Sequence, residues 1–312
     1  MTDPRTPAGS DPVHRYRGRF APTPSGPLHL GSLLTALASW LCARVAGGDW
    51  LLRIDDLDTA RCDPAWTARI LRQLEAHGLH WDEAPRYQSQ HTDDYAAALA
   101  RLEDSHRLYA CDCSRARLRA SALRKGMEGP VYDGHCRDRR LPPTGHALRL
   151  RADAGTQAFD DGWQALQRCD PAEHIGDFIV RRRDGIVGYQ LACAVDEQAQ
   201  GITEVVRGAD LLGSTFMQRQ IGAALGYVSP RYRHLPVLVG SDGRKLSKQN
   251  HARAIDESAA GTRLHQCLQW LGQRPPDALA TASVEEVLSW AVQHWRPGAL
   301  PQGACINVEQ AP

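Results

Sequence analysis

No run of this 312-residue chain approaches the 18 apolar residues that a membrane-spanning helix needs, so no transmembrane segment is expected. The first 18 residues, MTDPRTPAGSDPVHRYRG, have no apolar core of the kind a secretory signal carries. They are expected to form a disordered lead-in, and the protein to be cytoplasmic. A dominant charge is also missing. The 37 Lys and Arg stand against 36 Asp and Glu, a formal net charge of +1, which excludes a chain that attracts polyanions over its whole surface. The cysteines number nine, an odd count scattered along the chain, and that argues against a disulfide framework. There is no internal repeat and no long low-complexity segment.

What is present is a composition of 42% hydrophobic and 23% charged residues, ordinary for a globular protein. The length suffices for one large domain or two smaller ones with real cores. Charge is unevenly spread. Between Arg107 and Arg151 there are eleven Lys and Arg but only four Asp and Glu, a local excess that suits a phosphate-rich partner.

The apolar stretch Leu33–Val45 predicts a helix stopped by Gly47 and Gly48, and WLLRIDDLD (Trp50–Asp58) a buried parallel strand with a polar end. PAWTARILRQLEAHGL, opening on proline, predicts a second helix. This alternation is that of an α/β sheet. From about Arg107 the pattern breaks into Gly, Pro, Arg and Cys, with short strands expected at HALRLRA and DFIVRRRDG. Alternation resumes after GYQLACAVDE, with a helix at LLGSTFMQRQIGAALG and a strand at RHLPVLV. Two amphipathic helices, TRLHQCLQWLGQ and SVEEVLSWAVQHW, are expected near the C-terminus.

RFAPTPSGPLHLGS (Arg19–Ser32) precedes the first long helix. Pro22 and Pro24 hold the backbone extended, and Gly26 permits a turn. His29 and Gly31 then fall at a helix N-terminus, where backbone N–H groups and the helix dipole favour anions. Gly31 lets a flat ligand approach the backbone, and His29 can donate to a phosphate or ribose oxygen. Far along the chain, GRKLSKQN places Lys245 and Lys248 on either side of a serine in a polar loop. Two such lysines can neutralise a triphosphate and the charge that develops on displacement at phosphorus.

These two stretches resemble the two signatures of class I aminoacyl-tRNA synthetases. LLRIDDLDTAR, RYQSQ, AVDEQAQGITEVVRGADLL and HLPVLV are similar to the glutamyl branch, over roughly Arg19 to Asn250. CDC…YDGHC and the lack of room for an anticodon-binding region in the 63 residues after KLSKQ resemble the short, glutamyl-Q members of that branch. The resemblance implies an L-glutamate pocket lined by Arg19, Phe20, Ala21, Pro22 and Thr23. Arg19 and Arg207 would engage carboxylate, a task that suits a bidentate fork, and Tyr189 would close the pocket. It implies an ATP site at His29, Gly31, Ser32 and Lys248, with His29, Lys245 and Lys248 as the catalytic groups and Mg²⁺ entering with ATP. An acid at position 55 would hold the substrate ammonium. The chain carries Asp55 where Glu is usual, one methylene shorter, which leaves both a direct and a water-bridged contact open. It also reads T-P-S-G where S-P-T-G or S-P-S-G is usual, and Thr23 keeps the hydroxyl.

Cys111, Cys113 and Cys136 are the only clustered cysteines, and three thiolates point to one structural Zn²⁺. Donor chemistry alone selects His135 as the fourth ligand, although it adjoins Cys136; the resemblance selects Tyr132. The expected architecture is a Rossmann-type parallel nucleotide-binding sheet with an inserted zinc-bearing α+β domain and a short helical C-terminal region. The expected boundaries are a lead-in over 1–18, the core in two halves over 19–106 and 189–250, the RNA-contacting insertion over 107–188 and the C-terminal region over 251–312. The implied reaction is activation of glutamate by ATP without tRNA, then transfer to queuosine at the wobble position of tRNA(Asp), whose anticodon stem-loop the insertion would hold. A monomer is expected. The alternatives are a truncated glutamyl-tRNA synthetase charging the 3′ end of tRNA(Glu), a nucleotidylyltransferase, and a non-catalytic RNA-binding module.

Overall fold

The structure, a computed structural model, describes residues 15–120, 124–246 and 254–308. The chain opens with β1 (Arg17–Phe20), α1 (Leu30–Val45), β2 (Asp49–Ile54), α2 (Pro64–Ala76), β3 (Arg86–Tyr87) and α3 (Thr92–Asp104). β1 therefore begins two residues inside the stretch expected to be a lead-in; residues 1–14 of that stretch lie outside the described residues. Strands β1, β2 and β3 form a parallel ladder in the order β1-β2-β3. All six residues of β2 are buried. Trp50, Leu52 and Ile54 join the core that contains α1, while Leu51 joins the core on the opposite face. A strand covered on both faces reads as a continuous apolar run, which is the pattern the sequence shows there. Gly47, at φ +61°, supplies the left-handed residue after α1.

The middle of the chain holds β4 (Leu108–Cys111), α4 (Arg115–Ala120), β5 (Lys125–Gly126), β6 (Gly129–Pro130), β7 (Ala147–Leu150), β8 (Gln157–Asp161), β9 (Ala165–Cys169), α5 (Pro171–His174) and β10 (Phe178–Arg181). β10, β7 and β4 make an antiparallel sheet of their own. The β8–β9 hairpin does not stay with it. β8 pairs with a strand of the core through Tyr232 and Asp161, so the insertion is not a separate body along its whole length.

The core resumes with α6 (Tyr189–Ala199), β11 (Glu204–Gly208), α7 (Leu212–Leu225), β12 (Arg231–Leu235) and β13 (Val237–Val239), and the chain closes with α8 (Ala260–Trp270), α9 (Val284–His294) and β14 (Cys305–Asn307). β11 and β12 are parallel. β11 lies beside β1, where Thr203 N–H donates to the Arg17 carbonyl at 2.9 Å. Strand order thus runs outward from β1 in one direction and from β11 in the other. The crevice at the carboxyl ends of these two strands is where such sheets bind ligands.

RHLPVLV is two strands rather than the one expected. Pro236 separates β12 from β13, and a residue without an N–H cannot continue a ladder. β13 pairs instead with β14, a strand the sequence did not signal. α8 and α9 pack on α1, and Leu264, Leu268, Trp270, Val287 and Leu288 belong to the same core as Leu33 and Leu37. The C-terminal region is part of the core, and α9 starts with a capping box between Ser283 and Glu286.

Candidate active site

The turn before α1 is held by groups its prolines still possess. Pro22 and Pro24 cannot donate, but their carbonyls accept from Asp55 N–H at 3.1 Å and Asp63 N–H at 3.0 Å. This ties the T-P-S-G turn to the loop after β2. The chain then enters α1 with His29 as the N-cap residue. Its Nδ1 accepts from Ser32 N–H at 3.2 Å, and its Nε2 lies 3.1 Å from Ser32 Oγ. A neutral ring whose Nδ1 accepts carries its proton on Nε2, which makes that nitrogen a donor.

The second signature comes back to the first. Leu246 N–H donates to the Leu238 carbonyl at 2.8 Å, which pins the loop to the end of β13. Beyond it, Ile255 N–H donates to the Leu28 carbonyl at 3.0 Å. A Cβ on Gly31 would stand 3.2 Å from the His29 ring and 3.4 Å from the Leu246 carbonyl oxygen. A side chain there would crowd protein atoms as well as any ligand.

Between these elements lies a cavity of about 280 Å³ at the carboxyl ends of β1 and β11. Arg19, Phe20, Ala21, Pro22, Thr23, His29, Gly31, Ser32, Tyr189, Arg207 and Lys245 all line it. Tyr189 opens α6 and is 41% exposed, on the rim where it can cover an occupant. Lys245 is paired with Asp210, an acid on the cavity wall that the sequence did not single out. Lys248 lies outside the described residues.

The two arginines differ. Arg19 Nε and Nη2 both donate to Glu197 Oε1, at 3.2 and 3.0 Å, so its charge is already neutralised. Arg207 donates only to neutral groups: His234 Nε2 at 3.1 Å, Gln218 Oε1 at 2.8 Å and Thr215 Oγ1 at 2.7 Å. It is 4% exposed, and among the described residues no carboxylate forms an ion pair with it. Its charge is met by Glu197 only from beyond ion-pair distance, which leaves the guanidinium available to a carboxylate in the cavity.

Asp55 is placed differently from expectation. It does not line the cavity. Its Oδ1 accepts from Arg53 Nε at 2.6 Å, within a buried network that includes Asp196 and Glu197. Burial pushes the Asp55 carboxyl up while Arg53 opposes the shift. The shorter side chain is paired with its neighbour two residues back on the strand.

In the insertion, the sulfurs of Cys111, Cys113 and Cys136 lie within 4.8 Å of one another. Tyr132 Oη stands 3.6 Å from Cys111 Sγ and 3.5 Å from Cys113 Sγ. Ligands about 2.3 Å from a tetrahedral centre stand about 3.8 Å apart, so the three sulfurs and this oxygen suit one zinc ion. His135 turns elsewhere: its Nε2 is 3.4 Å from Arg139 Nη1. Burial would raise the Cys111 thiol, but the Arg149 guanidinium outweighs it and brings the thiol down to about 7, while burial pushes Cys113 up to about 11. Arg115, Arg119, Arg124, Lys125 and Arg140, in the same segment of the chain, are exposed.

Comparison with known proteins bears on both features. Residues 15–263 match the family model described as tRNA synthetases class I (E and Q), catalytic domain. The chain is 47% identical over 299 residues to a glutamyl-Q tRNA(Asp) synthetase of Methylococcus capsulatus, across 95% of this chain and 97% of that one. It is 48% identical over 290 residues to the protein of that name from Chromobacterium violaceum, across 92% and 96%. Among solved structures, a glutamate-tRNA synthetase from Elizabethkingia anophelis shares the fold with a TM-score of 0.78 at 24% identity, across 95% of this chain and 69% of that one. No helix among the described residues is long and apolar enough to cross a membrane.

Proposed function

We infer the function from the premise that this chain belongs to the glutamyl-Q tRNA(Asp) synthetases, a branch of the class I tRNA synthetases for glutamate and glutamine. It is a ligase of the aminoacyl-tRNA synthetase type. It activates L-glutamate with ATP and transfers the glutamyl group to queuosine of tRNA(Asp). The observation that carries the choice of amino acid is Arg207, a buried cavity-lining cation whose hydrogen-bond partners are all neutral. A carboxylate side chain completes it, and a neutral side chain does not.

In this reading glutamate lies against Arg207, with Tyr189 over it. Its α-carboxylate oxygen attacks the α-phosphorus of ATP, which arrives as its Mg²⁺ complex, and pyrophosphate leaves. His29 offers its Nε2–H to the nucleotide, and the N-terminal end of the α1 dipole favours its phosphates. Lys245 and Lys248 stabilise the departing phosphates. A hydroxyl of the queuosine cyclopentenediol then attacks the carbonyl of glutamyl-adenylate and AMP leaves. No covalent bond to the protein is needed, so the residues act by positioning and by charge. Cys111, Cys113, Cys136 and Tyr132 would hold one structural Zn²⁺ and so brace the insertion. The exposed Lys and Arg of the insertion take the anticodon stem-loop by its phosphates, with the exposed bases carrying the specificity. The protein works in the cytoplasm as a monomer.

The test uses labelled glutamate with purified tRNA pools that contain or lack queuosine, alongside glutamate-dependent ATP–pyrophosphate exchange without RNA. The expected result is exchange by the protein alone and label only on queuosine-containing tRNA(Asp), retained after the 3′ end is removed. Label on the 3′ end of tRNA(Glu), with exchange only when tRNA is added, would overturn it in favour of a truncated glutamyl-tRNA synthetase.

A further inference from the structure

Arg207 is held from behind by a buried pair drawn from two distant parts of the chain. Asp161 ends β8, in the hairpin that leaves the insertion to join the core, and His234 lies on β12. His234 Nδ1 and Asp161 Oδ2 are 2.5 Å apart, and neither side chain is exposed. The other carboxylate oxygen, Oδ1, accepts three backbone N–H groups: Trp163 at 3.0 Å, Gln164 at 2.9 Å and His234 itself at 3.1 Å. Burial would raise the Asp161 carboxyl, but the His234 hydrogen bond and these N–H groups outweigh it and hold it below the usual carboxylate range.

An ionised Asp161 requires a proton on His234 Nδ1. In the neutral ring that leaves Nε2 as a lone-pair acceptor. Arg207 Nε points at that nitrogen from 3.1 Å, and Thr215 Oγ1 lies 3.0 Å from it. Burial pushes His234 below the usual imidazole value, against the pull of Asp161, which favours the neutral ring. A protonated ring would instead turn an N–H against the guanidinium N–H. The chemistry of the partner matters as much as its place. A carboxylate directly on Arg207 would cancel its charge, as Glu197 does for Arg19. A neutral imidazole orients the fork and leaves the charge for the cavity, with the anchoring carboxylate one ring further away.

We propose that Asp161 and His234 are positioning residues for the amino-acid substrate: the carboxylate sets the imidazole tautomer, and the imidazole sets the Arg207 guanidinium toward the substrate carboxylate. The proposal rests on the reading of the cavity as a glutamate site. The pair does not line the cavity, so its effect passes through Arg207. Loss of the acceptor frees the guanidinium to rotate and weakens glutamate binding, while the ATP side of the cavity, built on α1 and the lysine loop, is untouched.

The experiment is glutamate-dependent ATP–pyrophosphate exchange by the intact chain, with KM for glutamate and for ATP measured separately and the melting temperature recorded. His234→Phe removes the acceptor and nearly keeps the volume. His234→Gln returns an amide oxygen that can accept from Arg207, and Asp161→Asn keeps the shape without the charge. A lost hydrogen bond to a charged group predicts that His234→Phe raises KM for glutamate about tenfold or more, with KM for ATP within about twofold. His234→Gln should recover much of that loss, and Asp161→Asn should fall between. A purely structural role would lower the melting temperature and the active fraction with both KM values unchanged. Wild-type exchange together with unchanged KM for glutamate in folded His234→Phe and Asp161→Asn would overturn the proposal alone. A wild-type chain with no glutamate-dependent exchange would overturn the reading of the cavity, and this proposal with it.

Discussion

Replacing Tyr132 by Phe and His135 by Ala separates two candidate donors that are three residues apart. Tyr132 Oη faces two sulfurs at 3.5 and 3.6 Å and also accepts the Cys136 N–H at 2.9 Å. Its ring is covered by the Arg149 guanidinium at 3.8 Å, which locks the side chain in place. Tyr132→Phe keeps the ring and its packing and removes only that oxygen. It takes away one of the four proposed ligands and leaves the Cys136 N–H without its acceptor. Removing an outer-shell partner of a metal ligand typically costs about 10–100-fold in affinity, so losing a ligand itself should cost about 100-fold or more. His135→Ala removes a ring directed at Arg139, and its effect should stay within about twofold, as for surface substitutions worth less than about 0.5 kcal/mol. The assay is competition for zinc with a chromophoric chelator, on protein first shown to carry one ion per chain. Cys113→Ala serves as the control that must lose the metal. Weakened binding in His135→Ala with unchanged binding in Tyr132→Phe would refute the assignment, and full zinc retention in Cys113→Ala would refute the site.

Gly31→Ala tests the junction of the two signatures. Alanine favours a helix over glycine by about 1 kcal/mol, which should offset the crowding at 3.2–3.4 Å and leave the melting temperature nearly unchanged. The His29 ring must nevertheless shift, so adenylate formation should fall by about tenfold; a wild-type rate would show that the ring position is not critical. Acid should weaken the insertion through Asp177. Burial pushes this carboxyl up, but hydrogen bonds from Arg137 and Tyr109 outweigh it and hold it below the usual range. Its folded value lies under the unfolded one, so its contribution is complete above roughly pH 4 and is lost as the pH falls through the lower folded value. The gap in melting temperature between wild type and Asp177→Asn should therefore be wide at pH 7 and narrow toward pH 3; a gap independent of pH would argue against it.

The turn before α1 was legible because each signal is local. A proline-rich turn, a histidine and a glycine before an apolar helix place a ligand-facing cap whatever the rest of the chain does, and His29, Gly31 and Ser32 sit as that pattern requires. The cysteines were legible because thiolates are distinctive donors. Donor chemistry alone could not choose between Tyr132 and His135, since residues three apart in a loop turn to different sides only once it is folded. The same limit explains Asp55. Its type and position suggest a ligand-facing acid, but whether a carboxylate meets substrate or Arg53 depends on burial that spacing does not report. Strand boundaries at Pro236 and the late strand β14 turn on a pairing across some 70 residues. The sequence by itself determined the sheet class, the family and the side chains of the turn before α1 that line the cavity, but not Asp210. Tertiary structure alone decided which of two arginines keeps its charge. Glu197 reaches Arg19 across 178 residues, and Asp161 reaches His234 across 73, to leave Arg207 among neutral partners. Compensation of a buried charge is a property of neighbours in space, and chain order does not name them.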